Sequence, residues 1–532
     1  MSRAQQYPRL ILALVCFPVF IGALDLTIVS AVLPDVIRSM TIEIQKLDVA
    51  GWVVTGYFVS YAISMTFMGK VSDLAGRRFV YLACLAIFFV GSWLVAASPG
   101  WPSAIVLKIL PLVQHDPQTG LAPLYALIAG RVVQAFGAGA MVPVSMALVA
   151  DLFPPERRAL PLGIVGAVDT AGWVLGHLYG GIMVQFMSWP YLFWINLPIV
   201  LVIFGITWWG LAGLPRVAVK GGIDWVGVVL LGSSLTLLNL GLGSPEIGLD
   251  PSAAAAPQNR LYWVVLAAVA FAGFLVWQRR VRHPILDLKI FSNRNLSAAS
   301  GVNLLVGFCI MVALVSVPLF INVAGGADTM KAALVTGYLL CAFTVPMALA
   351  AVPGGWLSQR LGYRASVIFG LLVAVTGFAL MSLWSVDMAG QAVALFDHLL
   401  HGPSSTEARG TGFMVAGLAL AGIGIGLTIA PIGTAVINGV LEEDRGMASS
   451  LVIILRLVGM SVSMSSLTAY GLRRTTILSR EMLSPEDGLD LEKTARVALE
   501  AVTRITSEVA LIAVALTVAA VATAVFLRRG DA

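Results

Sequence analysis

Four charged side chains lie inside long apolar stretches of this chain of 532 residues. Asp25 and Asp169 are the acids, and Arg131 and Arg456 are the arginines. An unpaired charge in apolar surroundings costs roughly a few kcal/mol or more, so we expect the acids and arginines to neutralise one another in pairs. Asp25 is then either a proton carrier, whose protonation would release an arginine and favour movement, or only a structural partner.

A second candidate region is the segment "GAVDTAGWVLGHLYGG", residues 166–181. Asp169 either forms a structural pair with Arg131 or faces a cavity, where it would titrate or bind substrate. His177 lies two helical turns further on, about 12 Å away at ~1.5 Å per residue. Its imidazole could relay protons, or could simply form a hydrogen bond with a neighbouring helix.

Glycines follow one face of the same segment. Gly172, Gly176 and Gly180 recur at every fourth position, and Gly181 follows them. Because a helix face without side chains lets another backbone approach closely, we predict a tight helix–helix contact along these glycines.

The composition places these residues in a membrane protein. Hydrophobic residues make up 58% of the chain and charged residues 11%, whereas soluble domains carry about 25% charged residues. The apolar blocks are about 20 residues or longer, as a helix needs to cross a bilayer, and they lack the alternation of a membrane barrel. The four cysteines show no metal-ligand spacing, and the net charge of +5 follows loop positions, so we expect no metal and no nucleic-acid partner.

Fourteen spans are predicted from the apolar blocks. They lie near residues 9–35, 50–69, 79–98, 121–149, 161–186, 191–213, 224–243, 261–278, 297–323, 333–357, 365–386, 411–440, 447–470 and 508–527. Lysines and arginines are concentrated in alternate loops, so the positive-inside rule predicts that both termini are cytoplasmic. The expected fold is therefore an all-α polytopic membrane protein.

Two outer loops have recognisable character. Residues 100–120 are partly apolar and suit the membrane surface. Residues 471–507 are densely charged, and the part from Ser484, with Pro485 near its start, has apolar residues at helical spacing: Leu491, Ala495, Ala498, Val502 and Ile505. This pattern predicts an amphipathic helix outside the membrane, with a solvated linker as the alternative.

The chain also contains an internal repeat. The loop after the second span reads "GKVSDLAGRR" and carries Gly69, Asp73, Gly76, Arg77 and Arg78. The loop after the tenth reads "GWLSQRLGYR" and carries Gly355, Gln359, Gly362 and Arg364 at matching offsets. Repeated halves are typical of secondary transporters. The predicted organisation is a six-helix half at 1–215, two inserted helices at 216–282, and a second six-helix half at 283–532 with the outer extension 471–507.

These motifs resemble a known family. The loop G-x-x-x-D-x-x-G-R-R is similar to the signature loop of the major facilitator superfamily, and fourteen spans resemble its drug/proton antiporter subfamily. The same subfamily is suggested by "LDLTIVSAVLPDV" (24–36), "AGRVVQAFGAG" (129–139), "FWINLPI" (193–199) and "RRVRHPILDLKIF" (279–291). The glycine segment matches the fifth-helix motif G-x-x-x-G-P-x-x-G-G, with His177 in place of proline.

The resemblance implies roles for particular residues. Arg131 and Gln134, three apart and thus on one helix face, would take part in proton coupling. Arg131 could instead form a fixed structural ion pair. The loops with Gly69, Asp73, Gly76, Arg77 and Arg78, and with Gly355, Gly362 and Arg364, would form a cytoplasmic gate, the alternative being orientation only. Arg456 would pair with Asp25 or Asp169 in one state and separate in another.

The predicted function is proton-coupled export of hydrophobic or amphipathic compounds by alternating access. No nucleotide-binding motif G-x-x-x-x-G-K-[ST] is present, so the proton gradient would be the driving force, without a cofactor. An alternative is export of lipids such as glycerides with an extracytoplasmic lipoprotein, because the acid of the fifth span and the charged outer loop resemble mycobacterial lipid-linked pumps. A non-transporting sensor or an enzyme is disfavoured. We expect a monomer in a bacterial cytoplasmic membrane.

Overall fold

The computed structural model describes residues 7–40, 42, 47–113, 119–184, 186–212, 222–242, 257–282, 284, 288–324, 329–388, 390–392, 408–441, 445–482 and 491–527. Within these ranges the chain forms helices and no β-strand. A helix satisfies its backbone hydrogen bonds internally, which is why apolar segments of this length adopt it in a membrane.

The first of two compact units comprises Met1–Leu296 and Val436–Ile454. Its helices are α1 (Pro8–Ser39), α2 (Leu47–Ala75), α3 (Arg77–Ala97), α4 (Trp101–Val113), α5 (Ala122–Gly139), α6 (Met141–Leu152), α7 (Ala159–Met183), α8 (Pro190–Gly210), α9 (Trp225–Leu242) and α10 (Pro257–Gln278). Short 3-10 turns lie at Thr119–Leu121, Pro155–Arg157 and Leu288–Ser292.

The second unit comprises Ser297–Ala435 and Leu455–Ala532. It contains most of α11 (Arg294–Ala324), α12 (Thr329–Met381), α13 (Ala408–Ile437), α14 (Arg445–Met482) and α15 (Leu491–Ala524). The end of α13 and the start of α14 belong to the first unit. The first unit thus includes α9 and α10, which the sequence predicts as an insertion, together with the helices of the first six predicted spans.

The predicted spans coincide with these helices, with one difference in detail. The fourth span is two helices, α5 and α6, which meet at Ala140. The tenth and eleventh spans are the two parts of α12, which a non-helical residue, Gly362, separates. Eight helical stretches among the described residues are long and apolar enough to cross a membrane, and shorter apolar helices supplement them.

In the first unit, the glycine face of α7 lies against α1. A Cβ atom on Gly172 would meet Ala23 and the backbone of Phe20, and one on Gly176 would meet Thr27. The Thr27 hydroxyl also donates to the Trp173 carbonyl at 2.9 Å. The contact fixes the depth of α1 in the unit, and hence the level of the acid two residues before Thr27.

The second unit contains a similar contact between α11 and α14. A Cβ atom on Gly307 would meet the backbone of Arg456, and one on Gly459 would meet the backbone of Leu304. Each helix therefore contributes one glycine where the other backbone approaches. Arg456 is buried in this region of α14.

The predicted outer extension is helical wherever it is described. Helix α14 continues to Met482, and α15 runs without interruption from Leu491 into the last span. Val502 and Ile505 are buried, as the predicted apolar stripe requires. Ser484 and Pro485 lie outside the described residues.

Candidate functional site

A buried ion pair joins α1 to α5. Asp25 Oδ2 lies 2.5 Å from Arg131 Nη1, and both side chains are 0% exposed. Arg131 Nη2 also donates to the Asp25 carbonyl at 3.1 Å. This is one of the ion pairs that the sequence predicts, and it places a carboxylate and a permanent cation in direct contact inside the apolar unit.

Neutral groups surround this ion pair. Gln134 Oε1 accepts a hydrogen bond from Arg131 Nη1 at 2.8 Å, and Gln134 Nε2 donates to Ser92 at 2.9 Å. Asn196 Nδ2 donates to Asp25 Oδ1 at 3.2 Å. The guanidinium group of Arg131 lies 3.9 Å from the centre of the Tyr57 ring, a cation–π contact. Charge on either partner is thus stabilised by several oriented groups.

Sequence reasoning missed Asn196 and Tyr57 as members of this site. Asn196 stands in "FWINLPI", a stretch that suggested the family but no role for its one amide. An amide in an otherwise apolar span was a usable signal, because a buried polar group needs a partner. Tyr57 gave no such signal, since its role depends on which ring lies beside the guanidinium group.

The structure describes fewer contacts for the other residues that the sequence predicts at the centre. Asp169 is buried on α7, and Gly180 is buried near the end of the same helix, which also includes Gly181. His177 belongs to this helix, but its side chain lies outside the described part of the structure. Arg456 belongs to the second unit. Its expected pairing with Asp25 or Asp169 therefore stays a prediction.

A second charged cluster lies near the loop between α2 and α3. Arg77 forms an ion pair with Asp73, and its Nη1 donates to Ser72 at 2.8 Å. Arg77 Nε also lies 3.4 Å from Asp151 at the end of α6. The side chain of Asp73 is buried, and Arg77 supplies a positive charge beside it.

Asp151 extends this cluster to residues 436–454. Arg445 Nη1 lies 3.1 Å from Asp151 Oδ1, so two arginines share one carboxylate. A parallel contact lies in the same unit, where Arg158 Nη1 donates to Asn438 Oδ1 at 3.1 Å. We call Asp73, Arg77, Asp151 and Arg445 the charged cluster.

The sequence contained a signal for these contacts that the loop motif alone did not reveal. Arg158 follows Asp151 by seven residues, and Arg445 follows Asn438 by the same distance. Each arginine contacts the acceptor of the other segment rather than its own. The internal repeat therefore extends beyond the two glycine loops, with Asp151 and Asn438 at corresponding positions.

The glycines of the two repeated loops hold similar backbone conformations. Gly76 has φ 95° and Gly362 has φ 78°, values that disfavour any side chain. Gly69 and Gly355 lie in the helices that lead into these turns, α2 and α12. Arg78 donates to the Trp208 carbonyl at 3.1 Å, which fixes α3 to the end of α8, and Arg364 is half-buried.

Beyond the predicted sites, three side chains connect the long helices α14 and α15. Arg474 approaches the carboxylate of Glu508 with Nη2 at 2.7 Å and Nε at 3.1 Å. The Tyr470 hydroxyl donates to the same carboxylate at 2.6 Å. The extension 471–507 is thus held at its base by a planar, two-point ion pair.

A model of the Major Facilitator Superfamily matches residues 15–464. The chain belongs to the major facilitator superfamily. It is 32% identical over 457 residues to the triacylglyceride transporter of Mycobacteroides abscessus. The aligned region covers 86% of this chain and 81% of that protein. It is 33% identical over 457 residues to the triacylglyceride transporter of Mycobacterium tuberculosis, with the same coverage.

Three further proteins are similar to this chain. The probable triacylglyceride transporter of Mycobacterium leprae is 32% identical over 486 residues, covering 91% of this chain and 88% of that one. Among solved structures, the human organic anion transporter MFSD10 has a TM-score of 0.56 at 15% identity, covering 96% of this chain and 99% of its own. A proton:xylose symporter has a TM-score of 0.54 at 15% identity, covering 95% and 94%. These structures confirm the predicted superfamily fold.

Proposed function

We propose that this transporter exports a neutral lipid of the triacylglyceride class across a bacterial cytoplasmic membrane. The observation that carries the proposal is its similarity, over most of both chains, to three mycobacterial proteins that bear this activity in their names. It favours the lipid alternative of the sequence analysis over general multidrug efflux. The chain would work as a monomer with both termini in the cytoplasm.

The surroundings of the buried ion pair suit such a substrate. Toward the end of α1, the side chains of Ile28, Val29, Val32 and Leu33 form an apolar cluster with Phe193 and others from the same unit. A triacylglyceride has no charged group that would need a partner among these residues. The central charges are therefore free to serve coupling instead of substrate recognition.

Proton coupling is the second part of the proposal. Arginine side chains stay protonated in proteins, so a proton on Asp25 would leave a buried cation without its counter-charge. That state is costly, and the helices would rearrange until the charge is stabilised again. Protonation and alternating access would then be linked through one carboxylate.

Replacing Asp25 tests this mechanism. Asp25→Asn keeps the size of the side chain but cannot take up a proton, so it should abolish transport driven by a pH gradient while leaving lipid binding measurable. Asp169→Asn should have the same effect more weakly. The measurement is movement of a fluorescent triacylglyceride and of a drug-like dye in proteoliposomes with an imposed pH gradient.

Asp35→Asn is the matched control, because Asp35 is an exposed acid on the same helix. It should transport normally. Full gradient-driven activity of Asp25→Asn would refute the coupling mechanism. Robust dye transport without lipid transport by the native protein would favour multidrug efflux.

The extension 471–507 would pass lipid to an extracytoplasmic lipoprotein. Deleting residues 476–503 and joining the ends with a short flexible linker retains the Arg474–Glu508 pair, so the bases of α14 and α15 stay connected. We expect this deletion to reduce lipid export much more than dye export. Equal losses, or none, would show that the segment is only a linker.

A further inference from the structure

A buried carboxylate joins one end of α9 to α10, the two helices that the sequence predicts as an insertion. Asp224 Oδ1 accepts hydrogen bonds from the Gly227 amide at 2.8 Å and from the Trp277 indole at 2.9 Å. Asp224 Oδ2 accepts from Gln278 Nε2 at 2.7 Å. Asp224 is 6% exposed. The end of α10 is therefore held against the beginning of α9.

Three arginines follow directly after this connection. The amides of Arg280 and Val281 both donate to the Trp277 carbonyl, at 2.9 and 3.1 Å, so the chain keeps turning beyond Gln278. Arg279, Arg280 and Arg282 are all exposed on this turn. In the described part of the chain, none of the three forms an ion pair with a carboxylate. Their charges are available to a ligand.

Exposed tryptophans lie at the same end of the helix pair. Trp225, the first residue of α9, is 63% exposed, and Trp277 is 37% exposed. Trp225 also contacts Phe67 of α2, with 5.3 Å between ring centres, which fixes α9 to the rest of the unit. Tryptophan is enriched where the hydrocarbon of a bilayer meets its headgroups. The three arginines thus begin at headgroup level.

We propose that Arg279, Arg280 and Arg282, beside Trp225 and Trp277, bind the phosphate of an anionic phospholipid. Arginine suits this ligand, because its planar guanidinium group donates two parallel hydrogen bonds to phosphate oxygens. Basic residues beside a membrane helix also attract anionic headgroups. Positive charge that only orients a protein in the membrane needs no fixed position within a loop. Here a buried carboxylate holds the turn that carries the three arginines.

The test measures lipid binding to the full-length protein in detergent. Phosphatidylglycerol and phosphatidylcholine are titrated separately and followed by native mass spectrometry, for the native protein and for R279Q/R280Q/R282Q. The triple variant should bind phosphatidylglycerol about tenfold more weakly or worse at low salt, because the loss of even one charge-assisted hydrogen bond to phosphate changes affinity by about that factor. Phosphatidylcholine binding should not change.

The matched control is R38Q/R157Q/R360Q, which removes the same charge from three other exposed arginines. It should bind phosphatidylglycerol like the native protein. Equal binding by native protein and R279Q/R280Q/R282Q, or equal losses in both triple variants, would overturn the site. Competition by inorganic phosphate as strong as that of the phospholipid would overturn the lipid as its ligand.

A second variant tests whether the turn must be fixed. Asp224→Asn retains all three arginines but weakens the bonds to Trp277 and Gln278, so phosphatidylglycerol binding should fall several-fold at unchanged monodispersity. Unchanged binding by this variant would show that general electrostatic attraction, and not a structured site, holds the phospholipid. Because transport is not the readout, these results are independent of the proposed lipid export.

Discussion

The two repeated loops share a backbone but differ in charge. Gly76 and Gly362 both have positive φ values at the same position of the repeat. Asp73 and Arg77 form an ion pair in the first loop, whereas Gln359 and Tyr363 occupy the corresponding positions of the second. The turn therefore does not need the charges. This difference indicates that the charged cluster has a role beyond shaping the loop.

The crossed contacts show the same difference. Arg445 meets a carboxylate, Asp151, whereas Arg158 meets an amide, Asn438. An ion pair is stronger than a hydrogen bond from an arginine to a neutral amide, and removing one partner of a buried ion pair leaves the other charge uncompensated. We expect the charged contacts to stabilise one conformational state and the neutral ones to guide its geometry.

Substitutions in the first loop should have the largest effect on transport. Asp73→Asn or Arg77→Ala should leave the protein folded but reduce transport roughly tenfold or more, since a loss of ~1.4 kcal/mol changes a population tenfold. Gln359→Ala, at the corresponding position of the second loop, is the control and should have little effect. Transport in proteoliposomes at matched protein content provides the measurement.

Full transport by both first-loop variants would contradict a latching role. Equal losses in Gln359→Ala would show that position, rather than charge, decides the effect.

A smaller effect is expected at the crossed contacts. Asp151→Asn should reduce transport several-fold, because Arg77 and Arg445 lose their shared counter-charge while Asp73 still neutralises Arg77. Asn438→Ala removes a neutral acceptor and no charge, and it should reduce transport less. The measurement is the transport rate of each variant in proteoliposomes. If Asn438→Ala loses more transport than Asp151→Asn, the geometry of these contacts matters more than their charge.

The smallest effect on transport, but a measurable one on stability, is expected at the turn glycines. Alanine at either Gly76 or Gly362 must adopt a positive φ, which costs about 1–3 kcal/mol. Both variants should lower the melting temperature by similar amounts in a fluorescence-based unfolding assay. A much larger loss at Gly76 would mean that the charged cluster depends on the turn after all.

The helices were largely predictable from the sequence, because apolar blocks of sufficient length have few alternatives in a membrane. The exact positions at which helices begin and end were not predictable. The division at Ala140 depends on packing that a hydropathy pattern does not report. The extension from Leu491 was predictable, since its apolar spacing is helical.

The residues of the site were easier to predict than the contacts between them. Two acids and two arginines could be selected by their depth, but the sequence leaves open which acid pairs with which arginine. Tertiary packing decides which arginine lies beside Asp25, and Arg131 is the observed partner. Asp151 escaped notice because it stands at the end of an apolar span, where a charge is unremarkable until Arg77 and Arg445 are seen beside it.

The close contact between α1 and α7 also limits how the sequence can change over generations. At Gly172 and Gly176 the smallest possible addition, a methyl group, already overlaps with α1. Gly205 and Gly273, by contrast, have no atom of another helix within 4 Å of where a Cβ would lie, among the described residues. Evolutionary drift can therefore replace the latter glycines freely, while the former permit change only if residues on the facing helix change with them.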